Sequence, residues 1–378
     1  MALREKLRPD ETDTSMEKQK IAIACQGGGS QTAFTAGVLS AFFENKVHLQ
    51  KQIVSLSGTS GGAVCAALAW YGLLKAAAGD PTPIQKRIKD FWEEIIAQLA
   101  PELYVDKLGA EMLRMIENGA LPHLELSPVS ALNQAFISFL TSFLPRRFFT
   151  DLRAALEAHI AFEELPELVK PDSPVLLLGA ADVLTGELKK FNSRGGEIRV
   201  EAILASAAIP TLFPAVEING HYYWDGLFSD NPPVKELLRP LYVGGENVPD
   251  EIWVIQINPT AVESVPNSNS QIFDRRNQME GNVSLQQSLE FVEFCNLLLR
   301  EKAVSDEVLD RIGFTRRQPI AVRFVRMSPE LQSTLDYVSK LSREPSHIHR
   351  MIDDGVKQGR AFLESLPVKD DVGGAART

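Results

Sequence analysis

An alternation of short apolar runs with helical spacing near the N-terminus constrains the fold of this 378-residue chain most strongly. Residues 21–25 and 53–56 have the apolar pattern of buried strands, whereas residues 32–44 and 60–78 carry apolar side chains at helical spacing. A strand–helix–strand–helix order of these lengths forms a βαβ unit, which implies parallel strands and right-handed crossovers. The sequence therefore predicts an α/β fold with a mostly parallel sheet.

The remaining pattern predicts one domain over residues 20–368, with a flexible leader at 1–19 and a flexible tail at 369–378. Residues 81–165 look helical and interrupt the strand pattern, so we expect a helical insertion there. The polar stretch at 264–278 predicts a loop. The other expected elements are strands at 174–180, 189–192, 252–256 and 320–325 and a closing helix at 347–366.

Composition excludes several classes of protein. Lys+Arg number 39 and Asp+Glu number 49, a net charge of −10, which argues against a nucleic-acid partner and against simple electrostatic capture by anionic lipid. Three widely spaced cysteines give neither a disulfide framework nor a metal-binding pair, so we expect no metal and no cofactor. The longest apolar run, residues 63–74, is too short to span a bilayer, and no signal peptide is visible. These features predict a soluble, cytoplasmic protein.

The first motif with chemical meaning is Gly58-Thr59-Ser60-Gly61-Gly62, a G-x-S-x-G sequence between a predicted strand and a predicted helix. In a nucleophile elbow the serine occupies a sharp turn, and neighbouring glycines avoid collisions with the backbone. The alternative is an ordinary strand–helix turn in which Ser60 serves as the helix N-cap. The motif alone leaves both interpretations open.

A second motif, Gln26-Gly27-Gly28-Gly29-Ser30-Gln31, follows the first predicted strand. Consecutive glycines at a helix start expose backbone N–H groups that can bind an anion. Position 32 is threonine and no GK[ST] follows, so neither a dinucleotide fingerprint nor a P-loop fits. Gly28 and Ser60 are 60 − 28 = 32 residues apart, about one βαβ unit, and both turns should therefore lie at the same end of a parallel sheet.

A candidate base follows a predicted hairpin. Residues 215–224 form two short predicted strands around an Asn219-Gly220 turn, and Asp225-Gly226 follows them directly. An isolated Asp-Gly usually marks a turn, but this hairpin already has one. Burial of Asp225 at the strand end would raise the pKa of its carboxyl group toward that of a useful base.

Together these blocks resemble the patatin-like phospholipase family. The resemblance covers residues 20–235, in the family's order, and rests on the glycine loop, the elbow, Ala205–Pro210, Phe213-Pro214, Trp224–Gly226 and Asn231-Pro232. It implies a three-layer α/β/α sandwich and a serine acyl hydrolase that acts on lipid acyl esters, often phospholipids, through an acyl-enzyme and a Ser–Asp dyad without histidine.

The resemblance also implies a role for each matching residue. Ser60 would be the nucleophile and Asp225 would take its proton directly. The N–H groups of Gly28 and Gly29 would hold the oxyanion, and Gly27 would shape that loop.

This chain departs from the family at two positions. The family commonly has a basic residue just after the glycines, where this chain has Ser30-Gln31-Thr32. Its usual second glycine after the aspartate is Leu227 here. Both departures bear on rate and substrate preference.

Two other functions stay open. An α/β-hydrolase esterase would need a Ser–Asp–His triad, and only His347 and His349 follow Asp225, both in a charged helix start that predicts solvated surface. A non-catalytic lipid- or protein-binding member of the same fold is the other alternative. Residues 132–149, rich in phenylalanine and carrying Arg146 and Arg147, are either a peripheral membrane contact or a helix buried under the insertion.

Overall fold

A mixed eight-stranded sheet forms the centre of the protein. The computed structural model describes residues 18–96, 111, 115, 151–210 and 213–367. The strands are β1 (Lys20–Cys25), β2 (Gln52–Gly58), β3 (Val175–Asp182), β4 (Leu188–Asn192), β5 (Val216–Ile218), β6 (His221–Asp225), β7 (Glu251–Gln256) and β8 (Ala321–Arg326).

Parallel pairing dominates the sheet, as the βαβ pattern predicts. The strand order is β5-β6-β3-β2-β1-β7-β8, with β4 paired to β3 as well. Strands β3, β2, β1, β7 and β8 run parallel to one another, whereas β4 and the β5–β6 hairpin join β3 antiparallel. The carboxyl ends of β1 and β2 therefore lie side by side, and each leads into one of the two glycine motifs.

Helices cover both faces of the sheet. They are α1 (Ala33–Glu44), α2 (Val47–Gln50), α3 (Gly61–Ala77), α4 (Ile84–Ile95), α5 (Leu152–His159), α6 (Leu165–Leu168), α7 (Val200–Ser206), α8 (Pro240–Val243), α9 (Asn269–Arg300), α10 (Asp306–Arg311), α11 (Pro329–Gln332) and α12 (Pro345–Glu364). Short 3₁₀ turns lie at Gly29–Thr32, Phe162–Glu164, Ser193–Gly195, Gly226–Phe228, Lys235–Leu238, Gly245–Asn247 and Val338–Lys340.

Strand β1 shows how its sequence generates the layers. Successive side chains of a strand point to opposite faces. Ile21 and Ile23 enter a core shared with α1, α3, α4 and α12, whereas Ala22 and Ala24 enter a second core shared with α9 and α10. The predicted three-layer α/β/α sandwich is confirmed.

The expectation of a loop at residues 264–278 is correct for 264–268 and wrong for 269–278. Helix α9 begins at Asn269, and the Ser268 side chain caps it by accepting a hydrogen bond from the Gln271 N–H. No described side chain of residues 269–278 is buried, and further along the helix the buried face includes the polar residues Asn282, Ser288 and Asn296. Polar side chains at buried positions weaken the apolar periodicity by which a helix is recognised in a sequence.

Several expectations fall wholly or partly outside the described residues. Where it is described, the predicted insertion at 81–165 consists of helices and turns, but positions 97–150 apart from 111 and 115 are not described. The proposed membrane contact at 132–149 lies in that gap, and the leader and the tail lie almost entirely outside. Within the described ranges, no helix is both long enough and apolar enough to cross a bilayer.

Helices α1 and α12 touch backbone to backbone, which makes their crossing sensitive to added volume. A Cβ atom on Gly355 would lie 2.1 Å from the carbonyl oxygen of Phe34. We expect Gly355→Leu to lower the free energy of unfolding by about 1–3 kcal/mol or more, through overpacking. Thermal unfolding should show a lower Tm, while Ala361→Leu at an exposed position of α12 should leave Tm nearly unchanged. Equal Tm values for the two variants would contradict the close crossing.

Candidate active site

Ser60 occupies a sharp turn between β2 and α3. Its backbone has φ 56° and ψ −131°, a conformation that non-glycine residues rarely adopt and that costs about 1–3 kcal/mol. Its N–H lies 3.1 Å from both the carbonyl oxygen and the Oγ of Ser206, which holds the turn. Its side chain makes no capping hydrogen bond to α3, so the bond expected of an ordinary N-cap is absent. The hydroxyl is not used for helix capping.

The elbow glycines lie where the backbone is too crowded for a side chain. A Cβ on Gly58 would lie 2.5 Å from the Gly62 carbonyl oxygen, and one on Gly61 would lie 2.2 Å from Thr32 Oγ1. A Cβ on Gly62 would lie 2.3 Å from the carbonyl oxygen of Cys25, at the end of β1. The start of α3 can therefore pack directly against the glycine loop.

The glycine loop comes close to Ser60. A Cβ on Gly27 would lie 2.9 Å from the Cβ of Ser60, and the N–H of Gly27 donates to Asn231 Oδ1 at 2.7 Å. The N–H groups of Gly28 and Gly29 donate to no described residue. Gly29 has φ +57°, in the left-handed region that favours glycine. The loop thus holds one N–H in the scaffold and leaves two available to a ligand.

The sheet brings Asp225 to the end of β2. Ala180 of β3 pairs with both Lys189 of β4 and Asp225 of β6, so β4 and β6 occupy opposite edges of β3. Strand β2 lies on the same edge as β6, because Leu178 pairs with both Gly58 and Phe191 of β4. Asp225 therefore lies beyond the point where β2 turns into the elbow.

Contacts of the next residue agree with this placement. A Cβ on Gly226 would lie 2.8 Å from Thr59 Cγ2, next to Ser60. The structure thus brings Ser60, Asp225 and the glycine loop to one end of the sheet.

Burial dominates the electrostatics of Asp225. Only 1% of the residue is exposed, and desolvation raises the pKa of its carboxyl group to about 7. The Leu227 N–H, which donates to Oδ1 at 2.8 Å, acts in the opposite direction. The nearby Ser60 hydroxyl also lowers the pKa of Asp225. Oδ2 of Asp225 has no hydrogen-bond partner among the described residues. An aspartate with this pKa can accept and return a proton near neutral pH.

Lys340 is a functional candidate that the sequence interpretation missed. Its charge lowers the pKa of Asp225, and its backbone carbonyl oxygen would lie 2.2 Å from a Cβ on Gly29. Burial lowers the pKa of its own ammonium group to about 8. Lys340 is 340 − 60 = 280 residues beyond Ser60, in a segment without a motif, so no sequence signal pointed to it.

Each of the two motifs is tied to a distant segment by a side chain, Gln26 or Thr59, whose role the sequence did not reveal. Gln26 Oε1 accepts the N–H groups of Ile257 and Asn258, both at 2.8 Å, and so links the glycine loop to the end of β7. The Thr59 hydroxyl donates to the Asp230 carbonyl at 2.5 Å, next to the residue that binds Gly27. Asn231 belongs to a motif of the family resemblance, which could have indicated its importance.

Three described histidines, His159, His221 and His349, pair with carboxylates other than Asp225. His349 lies 2.9 Å from Glu93 Oε1, and His221 lies 2.7 Å from Asp182 Oδ2. The expectation that His347 is solvated is wrong: it is 5% exposed, because it precedes Ile348 and Met351 on the buried face of α12. No described histidine is among the groups that set the pKa of Asp225.

The raised pKa of Asp225 predicts a pH dependence of stability. The unfolded carboxyl loses its proton near its ordinary pKa of about 3.9, while the folded one keeps it up to about 7. The folded state binds more protons in this window, so its free energy of unfolding falls as pH rises. Asp225→Asn removes this loss and should raise Tm relative to the wild type at pH 8 more than at pH 5. Asp353→Asn, at an exposed site, is the control. A Tm difference that is equal at both pH values would argue against the raised pKa.

Comparisons with known proteins come from solved structures, curated sequences and family profiles. VipD from Legionella pneumophila aligns at 16% identity and a TM-score of 0.36, over 92% of this chain and 67% of VipD. The type III effector protein ExoU aligns at 16% and 0.32, over 91% of this chain and 52% of ExoU. No curated protein sequence matches the chain. The profile of the patatin-like phospholipase family matches residues 23–238, more than half of the sequence and both glycine motifs. The chain therefore belongs to the patatin-like phospholipase family, a family of lipid acyl hydrolases.

Proposed function

We propose that this protein hydrolyses carboxylic ester bonds of lipids, with Ser60 as the nucleophile and Asp225 as its base. The observation that carries the proposal is the burial of Asp225 beside the Ser60 elbow, which raises the pKa of the carboxyl group to about 7. A nucleophilic serine needs an adjacent base, and the best base has a pKa near the working pH. The lipid substrate is inferred from membership in the family.

The first half of the reaction forms an acyl-enzyme. Ionised Asp225 takes the proton of the Ser60 hydroxyl while Oγ attacks the ester carbonyl carbon. The carbonyl oxygen becomes an oxyanion, which accepts hydrogen bonds from the N–H groups of Gly28 and Gly29. The tetrahedral intermediate then expels the alcohol, which takes the proton from Asp225.

The second half restores the enzyme. Asp225, again ionised, takes a proton from water, whose oxygen attacks the acyl carbon. The same two N–H groups hold the second oxyanion. As the bond to Ser60 Oγ breaks, that oxygen recovers the proton from Asp225, and a carboxylic acid leaves.

The contacts of Asp225 favour a dyad over the two alternatives. A Ser–Asp–His triad needs a histidine between the serine and the aspartate. Here the Ser60 hydroxyl itself lowers the pKa of Asp225, and no described histidine does so. A non-catalytic binding protein has no need of a strained serine or of a buried carboxylate at the same sheet end.

Four variants separate these possibilities. We expect Ser60→Ala and Asp225→Asn to reduce kcat/KM on a soluble acyl ester and on phospholipid vesicles by about 10³-fold or more, because members of a catalytic unit fail together. His347→Ala and His349→Ala should stay within a few-fold of the wild type. Circular dichroism and Tm serve as folding controls. A histidine variant as inactive as Ser60→Ala, yet folded, would establish a triad. Absence of hydrolysis by the wild type on both substrates would favour the binding function.

The pH profile of hydrolysis should follow the ionisation of Asp225. Only the carboxylate can accept the serine proton, so kcat/KM on a soluble ester should rise with pH through a midpoint of about 7. Initial rates between pH 5 and pH 9, with Tm measured at each pH, test this. A rate that is flat or falls across this range would contradict the role of Asp225 as the base.

A further inference from the structure

The residues that replace the basic position after the glycines bind a distant segment. The Ser30 hydroxyl donates to the Ser339 carbonyl at 2.9 Å. Gln31 Nε2 donates to Ser339 Oγ at 2.9 Å and to the Asp336 carbonyl at 3.1 Å. Three hydrogen bonds thus fasten residues 336–340 onto the glycine loop, at the place where the family commonly has a cation of its own.

This docking places Lys340 against the loop. Its carbonyl oxygen lies so close to Gly29 that a Cβ there would approach it to 2.2 Å. Its ammonium group donates to Asn258 Oδ1 at 2.8 Å and to Asn277 Oδ1 at 2.6 Å. Asn258 follows Ile257, whose side chain packs on Gly28, so the ammonium group is anchored to a segment that itself contacts the glycine loop.

The direct hydrogen-bond partners of Lys340 do not neutralise its charge. Both direct partners of the ammonium group are neutral amide oxygens, and an ammonium group has three N–H donors. The charged groups that act on Lys340 are Asp274 and Asp225, and both favour its protonated form. The ammonium group therefore keeps most of its charge at pH 7 despite its burial.

We propose that Lys340 supplies the cation that the glycine loop itself lacks and that its charge favours the ionised form of Asp225, and that Ser30 and Gln31 position it for this role. The inference rests on the proposed function, because it assigns a task at the same site. Lys340 is a positioning residue that acts through space on Asp225. The missing basic residue is in this way replaced by one from the far end of the sequence.

The pH profile of kcat/KM on a soluble ester separates this role from a structural one. In Lys340→Met, the Asp225 carboxylate loses its stabilising charge, so we expect the midpoint to move to higher pH by about one unit, with a roughly tenfold lower rate below the midpoint. Lys340→Arg keeps the charge and should return the midpoint toward the wild-type value. Lys357→Met removes an exposed lysine from α12 and should change neither.

A second variant covers the case in which Lys340→Met does not fold. Gln31→Ala removes two of the three hydrogen bonds that fasten the segment to the glycine loop, and its midpoint should move in the same direction. An unchanged midpoint in a folded Lys340→Met protein, or in Gln31→Ala where that protein cannot be obtained, would overturn the inference. If Ser60→Ala and Asp225→Asn still abolish hydrolysis, the proposed function survives that result. If neither Ser60→Ala nor Asp225→Asn affects hydrolysis, the proposed function itself fails.

Discussion

Two adjacent residues of one loop hold the two glycine motifs together. The Asp230 carbonyl accepts the Thr59 hydroxyl beside the elbow, and Asn231 Oδ1 accepts the N–H of Gly27 in the glycine loop. The buried Asp230 carboxylate is itself fixed by the ammonium groups of Lys190 at 2.5 Å and of the partly exposed Lys235 at 3.1 Å. Because these bonds are buried, they are shielded from water and hold the turns firmly. Without them the strained backbone of Ser60 and the open N–H groups would lose their relative positions.

The topology of the sheet explains why a distant aspartate can serve the elbow. Strand β2 ends at Gly58, and the edge of β3 that it leaves free is taken up by β6. The hairpin therefore delivers Asp225 into the space just beyond the elbow. There the surrounding chain excludes water, and desolvation raises the pKa of a group that would be a feeble base on the surface. The strand arrangement that positions Asp225 therefore also buries it and raises its pKa.

Local pattern was sufficient for the sheet and for the two turns. The apolar runs of β1 and β2 and the glycines after them depend on neighbours in sequence, so their positions were predictable. Helix α9 was missed because its buried face carries polar side chains. The burial of His347 was missed because the charged residues around it predict solvated surface, although it lies on the buried face of α12. Lys340 depends on contacts that cross about 300 residues, which no local pattern contains. The extent of burial, and hence the pKa of Asp225, is likewise a property of the folded chain.

Covalent trapping of the acyl-enzyme tests the central claim most directly. The protein would be mixed with an activated fatty-acyl ester, quenched in acid, digested and analysed by mass spectrometry. We predict a single acyl adduct on the peptide that contains Ser60, present in the wild type and absent from Ser60→Ala and Asp225→Asn. An adduct on another residue, or hydrolysis that proceeds at the wild-type rate after Ser60→Ala, would contradict the account.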